Sequence, residues 1–221
     1  MLKDGITCRG VEHSVYLRVA NLVNLHLTPT ISMSSHHFVK EDQEPALVIA
    51  QAEAIPFAVV QELLEWSPTV IVLEHALPAV LLWGIKMDVV ICQQKNIDQH
   101  IQLLNDQAPV KILSHSEEEN PLLTALYFLI AGKYRAVNVL GVGHETIAPF
   151  TPKLDVVTFY ENKRWLYARH GKFEKWLIKG KQISLPEKIK SKEGLDEHGV
   201  AVHDGTVKVI SDVPFWIGEE I

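Results

Sequence analysis

The feature that most constrains this chain is an alternation that runs from residue 46 to residue 140. Five short aliphatic runs stand there: ALVIA at 46–50, TVIVL at 69–73, DVVIC at 88–92, VKIL at 110–113 and AVNVL at 136–140. The first is too short for a helix and rich in aliphatics and reads as a buried parallel strand, and the other four read as further strands. Four stretches of helical spacing lie between them. Residues 56–66 begin with Pro56, in a first turn where its missing N–H costs nothing. Residues 77–83 are stopped by Gly84, residues 97–105 follow the third run, and Asn120-Pro121 pairs an N-cap with a first-turn proline ahead of residues 122–131. Strand and helix in strict alternation predict an α/β fold: a five-stranded parallel-type sheet with flanking helices.

That architecture says where to look for chemistry. Ligands of open parallel sheets bind outside the carboxyl ends of the strands. The segments to watch are therefore 51–55, 74–76, 93–96, 114–120 and 141–145.

After Pro149 the pattern changes to short alternating strands at 156–160, 164–169 and 175–178, broken by Glu161-Asn162, His170-Gly171 and Lys179-Gly180. Residues 200–202 and 206–210 read as a hairpin around Asp204-Gly205. We read 46–150 as an α/β nucleotide-binding-type domain and 151–221 as a small antiparallel β-sandwich domain. Charge partitions with this division. Residues 46–150 carry 5 basic and 11 acidic side chains, a net −6, whereas residues 151–192 carry 11 basic and 4 acidic, a net +7. A basic face can meet phosphate, and lysines on strands also keep sheet edges soluble.

Residues 1–45 are different. The partly apolar stretch 18–27 is interrupted by Asn21, Asn24 and His26, and no small-residue cleavage site follows, which argues against a signal peptide. The polar run after Met33 reads as an ordinary N-terminal tail, with Met33 as a candidate start. No apolar run approaches the roughly 18 residues that span a bilayer, and no membrane association is expected. The net charge of −6 argues against a general nucleic-acid binder. Two cysteines, Cys8 and Cys92, make no disulfide framework, and a cytoplasmic location fits them.

Several strings resemble the thiamine pyrophosphokinase (thiamine diphosphokinase) family over roughly residues 46–212. TVIVLEHA at 69–76 is similar to that family's second strand and its following acidic turn. WGIKMDVVI at 83–91 resembles the approach to its third strand, TALYFLI at 124–130 its long helix, and YRAVNVLG at 134–141 its fifth strand. The resemblance implies a cytoplasmic homodimer with an α/β domain followed by a β-sandwich that takes part in thiamine binding. It implies ATP-dependent transfer of pyrophosphate to thiamine, giving thiamine diphosphate and AMP, with Mg²⁺ accompanying ATP. Carried over position by position, Glu74 and Glu118 are the catalytic carboxylates that hold Mg²⁺. Gln51, Gln93, Lys95, Gly141 and Gly143 are the nucleotide- and phosphate-binding positions.

The sequence departs from the family pattern where the chemistry sits. The family's aspartates after the third strand are replaced within CQQKN at 92–96, and Pro121 stands at the last aspartate of the next loop. Amides bind Mg²⁺ far more weakly than carboxylates, and Lys95 repels it. Lys95 can instead neutralise phosphate as a point charge or pair with Glu118. A second reading follows from these departures: a catalytically impaired relative that binds a nucleotide or a thiamine compound.

Other residues admit both chemical and structural readings. His75, His115 and His144 each follow a parallel strand, and with Glu74, Glu118 and Glu145 they would make a metal set for a hydrolase. No HxH or HExxH spacing accompanies them, so exposed loop histidines are the plainer reading. Residues 117–119, three glutamates ahead of a helix, also suit a helix N-terminus. Gly141-x-Gly143 lacks the third glycine of a dinucleotide fingerprint and follows the last strand instead of the first. Trp165, Tyr167 and Trp176 can stack on a heterocycle, but such residues more often fill a sandwich core. Cys92 reads as a small core residue.

Overall fold

The structure, a computed structural model, describes residues 44–221. The readings placed on the N-terminal tail, Met33 and the stretch 18–27 lie outside the described residues. The five aliphatic runs are strands β1 (Ala46–Ile49), β2 (Val70–Leu73), β3 (Val89–Gln93), β4 (Lys111–His115) and β5 (Ala136–Leu140). The intervening stretches form α1 (Phe57–Leu64), α2 (Leu77–Trp83), α3 (Ile97–Leu103) and α4 (Pro121–Ala131), and a four-residue helix α5 (His144–Ile147) follows β5. Gly84 ends α2 in the left-handed conformation, φ 67°, with its N–H on the Leu81 carbonyl. Asn120 caps α4: its Oδ1 accepts from the Leu122 N–H at 2.9 Å, ahead of a backbone whose Pro121 has no N–H to satisfy.

The sheet is larger than expected. Strand β6 (Asp155–Tyr160), which reads as the first strand of a separate sandwich, pairs parallel to β5, with Ala136 opposite Asp155 and Leu140 opposite Phe159. Val156, Thr158 and Phe159 are buried, the signature of a strand covered on both faces. The parallel part therefore has six strands in the order β4-β3-β2-β1-β5-β6, a correction to the five-stranded expectation. It continues without a break into antiparallel strands β7 (Lys163–Ala168), β12 (Phe215–Glu220) and the two-residue β9 (Ile183–Ser184). A second sheet of three antiparallel strands, β10 (Ser191–Glu193), β11 (Gly205–Ile210) and β8 (Lys172–Leu177), stands apart from this nine-stranded one. The sandwich thus borrows one of its layers from the end of the α/β sheet.

The expected hairpin around Asp204-Gly205 does not form. Val200 and Ala201 make only isolated bridges to Gln182 and Leu195, while β11 pairs with β8 and β10. Asp204 instead accepts the Lys179 N–H through Oδ1 at 2.7 Å.

Alternating side chains build two cores, one on each face of the parallel sheet. Leu47, Ile49, Val72 and Val90 meet Val60 of α1 and Leu77 and Val80 of α2. Ala46, Val48, Ile71, Leu73, Ile91 and Leu113 meet Leu122, Leu126 and Leu129 of α4 and Ile147 of α5. A third core lies between the two sheets, with Leu166, Phe215 and Ile217 packed against Leu177, Val207 and Val209. Trp165 and Tyr167 point to the other face of β7 and are not part of it, and Trp176 is exposed, so the sandwich-core reading of these aromatics is corrected. The reason is register: neighbouring positions on a strand face opposite ways, and Leu166 and Ala168 occupy the inward ones. Inside the sandwich the carboxylate of Glu219, 6% exposed, binds both Arg164 at 2.5 Å and Lys175 at 2.7 Å, tying the two layers together by charge.

The strand order reverses at β1. The chain steps outward through β2, β3 and β4 with α1 and α2 on one face, then crosses by α4 on the other face to place β5 on the far side of β1. Gly141 makes the turn at the end of β5. Its φ is 82°, and a Cβ there would lie 2.4 Å from Cβ of Gln51 and 2.8 Å from its backbone nitrogen. Both the left-handed backbone and the contact require glycine. Gly141→Ala is expected to destabilise the protein by about 2–4 kcal/mol. Urea denaturation checks this, and an unchanged midpoint would mean that the turn does not hold β1 against β5.

Candidate functional site

The reversal of strand order leaves a crevice at the carboxyl ends of β1 and β5, where an open parallel sheet receives its ligands. A cavity of about 420 Å³ occupies it. Its walls come from the ends of β1 and β2 (Gln51, Leu73, His75), the start of α4 (Asn120, Leu122), the turn after β5 (Gly141, Gly143), α5 (Glu145, Thr146) and the end of β6 (Tyr160). A roomier cleft of about 600 Å³ lies at the opposite rim, among Trp66, Thr69, Asp88 and Tyr134 at the amino ends of the strands. We place the site in the smaller cavity, because the amino ends of parallel strands are not where this architecture binds ligands.

Three positions singled out in the sequence, Gln51, Gly141 and Gly143, line this cavity. A Cβ on Gly143 would lie 3.0 Å from Oε2 of Glu145 and 3.8 Å from the Tyr160 ring, so a carboxylate and an aromatic ring flank its backbone. Three backbone donors on this wall are engaged. The N–H groups of Ala50 and Gln51 donate to the Leu140 carbonyl at 3.0 and 3.2 Å, and that of Gly141 donates to Phe159 at 2.8 Å.

The other predicted positions are not among the residues that line it. The Glu74 carboxylate turns toward the loop after β3. Its Oε2 accepts the Gln93 backbone N–H at 2.7 Å, and its Oε1 accepts from the Asn96 amide and meets Nε2 of His100 at 2.9 Å. Burial raises the carboxyl's pKa, but these hydrogen bonds, with the charge of His100, outweigh it and hold the group below the usual carboxylate range. Cys92 is buried beside this network. Burial, and then the Glu74 carboxylate, push its thiol up to about 11, so it is an inert core thiol. Lys95 pairs with Glu117, not with Glu118, and both partners are well exposed. Glu118 is exposed on the loop between β4 and α4. Gln94 accepts from the Ser114 hydroxyl at 2.7 Å, further tying together the loops after β3 and β4.

The histidines do not converge. His75 is exposed at the cavity, His115 is buried with Nδ1 on the Ser116 carbonyl at 2.7 Å, and His144 stacks on Trp165 with ring centroids 4.1 Å apart. Among the described residues, no group of three or more histidine, cysteine or acidic side chains could hold a metal ion, which overturns the His/carboxylate metal set. Burial lowers the His144 pKa, opposed by Glu145 3.3 Å away. Trp165, Tyr167 and Trp216 form an aromatic patch behind this histidine.

Asn120, Thr146 and Tyr160 are cavity residues that the strand-end reading misses or leaves unremarked. Asn120 carries a cap signature in sequence, and Tyr160 becomes visible only once β6 is placed parallel to β5.

No protein-family model and no curated protein matches the sequence. Solved structures match the fold. Thiamin pyrophosphokinase from Candida albicans is 10% identical, with a TM-score of 0.61, covering 88% of this chain and 96% of that one. The yeast thiamin pyrophosphokinase is 9% identical, with a TM-score of 0.60 and coverages of 81% and 87%. That from Bacillus subtilis is 11% identical, with a TM-score of 0.56 and coverages of 79% and 97%. The chain therefore has the fold of the thiamin pyrophosphokinases across most of its length. At such identities the likeness establishes fold alone, and activity belongs to the site. No helix among the described residues is long and apolar enough to cross a membrane.

The Glu74 network predicts its own pH dependence. A carboxyl held below its unfolded pKa contributes stability above that value, and the contribution is lost as pH falls through the folded pKa. Glu74→Gln is expected to cost about 1–3 kcal/mol at pH 7. The difference from wild type should shrink below pH 4.5, the ordinary carboxyl value. Denaturation curves at pH 7 and pH 3 check this; an equal cost at both would mean that the charge is not what the network uses.

Proposed function

We propose that this chain is a small-molecule-binding relative of the thiamin pyrophosphokinase fold, holding a thiamine compound or a nucleotide at the crevice between β1 and β5. In this reading it does not use Glu74 and Glu118 as a Mg²⁺ pair. The observation that carries it is the state of Glu74. Three donors already occupy its two oxygens, and the carboxylate serves the loop after β3 instead of facing the cavity. Mg²⁺ demands near-octahedral oxygen coordination and sheds water reluctantly. A carboxylate already engaged by two amides and an imidazole, with Glu118 exposed on another loop, does not fit that demand.

A second reading, ATP-dependent transfer of pyrophosphate to thiamine with release of AMP, is supported by the match of fold along most of the chain. It requires the loops after β3 and β4 to release their internal partners so that Gln93 and Lys95 can meet phosphate. It also requires Glu74 to exchange its hydrogen bonds for a metal. A homodimer, implied by the sequence resemblance, would be compatible with either reading.

The two readings separate in one assay. Purified full-length protein incubated with ATP, thiamine and Mg²⁺ is expected to release no AMP above the blank, while calorimetry detects ligand binding that EDTA leaves unchanged. Steady AMP release with matching formation of thiamine diphosphate would establish the transferase instead.

A further inference from the structure

We infer that the corner of the sandwich at the turn 178–181 is a docking surface for an anionic lipid bilayer. Trp176, Ile178 and Val202 enter the headgroup layer, and Lys179 and Lys181 meet its charge. The inference is independent of the crevice and of its ligand.

The turn follows β8 and is built on a glycine. Gly180 has a φ of 83°, the left-handed value that the third position of a type II turn requires, and the Lys181 N–H closes the turn on the Ile178 carbonyl at 3.2 Å. A Cβ on Gly180 would meet nothing within 4 Å, so the tip stands clear of its surroundings. The other two N–H groups of the turn are also held from within. That of Lys179 donates to Oδ1 of Asp204 at 2.7 Å, and that of Gly180 to the Ala201 carbonyl at 2.8 Å. A tip whose N–H groups are already bonded can leave water without stranding those donors.

The side chains around the tip face outward. Trp176 is 59% exposed and Ile178, two positions on, is 57% exposed, so the two share the outer side of the strand. Val202 is exposed as well, beside Ala201, which takes the inward position. Single exposed apolar residues are ordinary, but three gathered at one protruding corner make a patch, and such patches mark interaction sites. Tryptophan suits the boundary between water and lipid, with an apolar ring and a polar N–H.

Charge selects the occupant. Residues 172–183 and 200–208 carry five basic and two acidic side chains, a net +3. The nearby acids are offset on the sheet itself: Glu174 pairs with Lys172 at 2.7 Å and Glu193 with Lys208 at 3.6 Å, while Lys175 reaches inward to Glu219. Lys179 and Lys181 are left without a carboxylate partner among the described residues. Lysines next to apolar side chains match a layer that is anionic at its surface and apolar beneath, because their stems lie along the apolar part while the ammonium groups reach phosphate. A convex tip also finds cover more readily in a deformable lipid layer than against a rigid protein face. No spanning segment is needed for such a contact. It replaces the expectation of no membrane association, which rests on spanning length alone.

Pelleting of the full-length protein with sucrose-loaded vesicles tests the inference. Partition onto phosphatidylcholine vesicles with about one-third phosphatidylserine is expected to exceed that onto phosphatidylcholine alone by at least about tenfold, and to be lost at about 1 M NaCl. The double variant Lys179→Glu/Lys181→Glu should lower it by about tenfold or more, and Trp176→Ala by about threefold to tenfold. Neither should lower the melting temperature, because the substituted side chains lie outside the core. Lys133→Glu, a charge reversal beyond the C-terminal end of α4, should leave partition within about twofold of wild type. Tip variants that bind like wild type, or a loss on Lys133→Glu equal to theirs, would overturn the docking surface. So would equal partition onto the two kinds of vesicle, or no pelleting with either. Retention on immobilised polyglutamate without pelleting would overturn it in favour of an acidic protein partner.

Discussion

Strand β5 lies beside β1 over four paired positions, and the chain leaving β5 passes within contact of Gln51, two residues beyond the end of β1. Gly141 sits over Gln51 with no room for a Cβ between them, and the Leu140 carbonyl accepts both Ala50 and Gln51 N–H groups. This packing fixes the point where strand order reverses. The crevice, the placement of α4 on the opposite face from α1 and α2, and the seating of β6 beside β5 all follow from it. Because β6 is seated there, β7, β12 and β9 can extend the same sheet and serve as one layer of the sandwich.

The first half of the fold is legible in the sequence for a simple physical reason. A strand in the interior of a parallel sheet is a short aliphatic run; β1, β2, β3 and β5 are such runs, and the edge strand β4 follows in the same alternation with helices. The second half is less legible because most of its strands are covered on one face or lie at an edge, and β6, covered on both, is not a purely aliphatic run. In β6, Val156, Thr158 and Phe159 are all buried, yet VVTFY reads equally as an alternating sandwich strand. Nothing local distinguishes a parallel partner from an antiparallel one. The Asp204-Gly205 pair is a strong turn signal, but the pairing of β11 with β8 over six residue positions outcompetes a local hairpin with Val200 and Ala201.

The site divides along the same line. Gln51, Gly141 and Gly143 are found from the rule that ligands sit at the carboxyl ends of parallel strands, which needs topology alone. The roles of Glu74, Glu118 and Lys95 depend on which neighbour each side chain chooses, and one sequence does not contain that choice. Glu74 is taken by His100, Asn96 and the Gln93 backbone, and His100 lies a full helix away in the chain. Lys95 has three adjacent glutamates within its reach by sequence and pairs with Glu117. The same residue types at the same strand ends can thus hold a metal or hold a loop. Here the hydrogen bonds record the second use.

The proposed ligand-binding rim of this protein is the Gly141–Gln51 crevice, separate from the carboxylate-braced loops after β3 and β4. Backbone amide chemical-shift mapping during a thiamine titration tests it directly. The account predicts perturbations concentrated at Gln51, Gly141, Gly143, Glu145 and Tyr160, with residues 93–96 and 117–119 unmoved. Perturbations concentrated at 93–96 and 117–119, with the Gly141 turn silent, would contradict it.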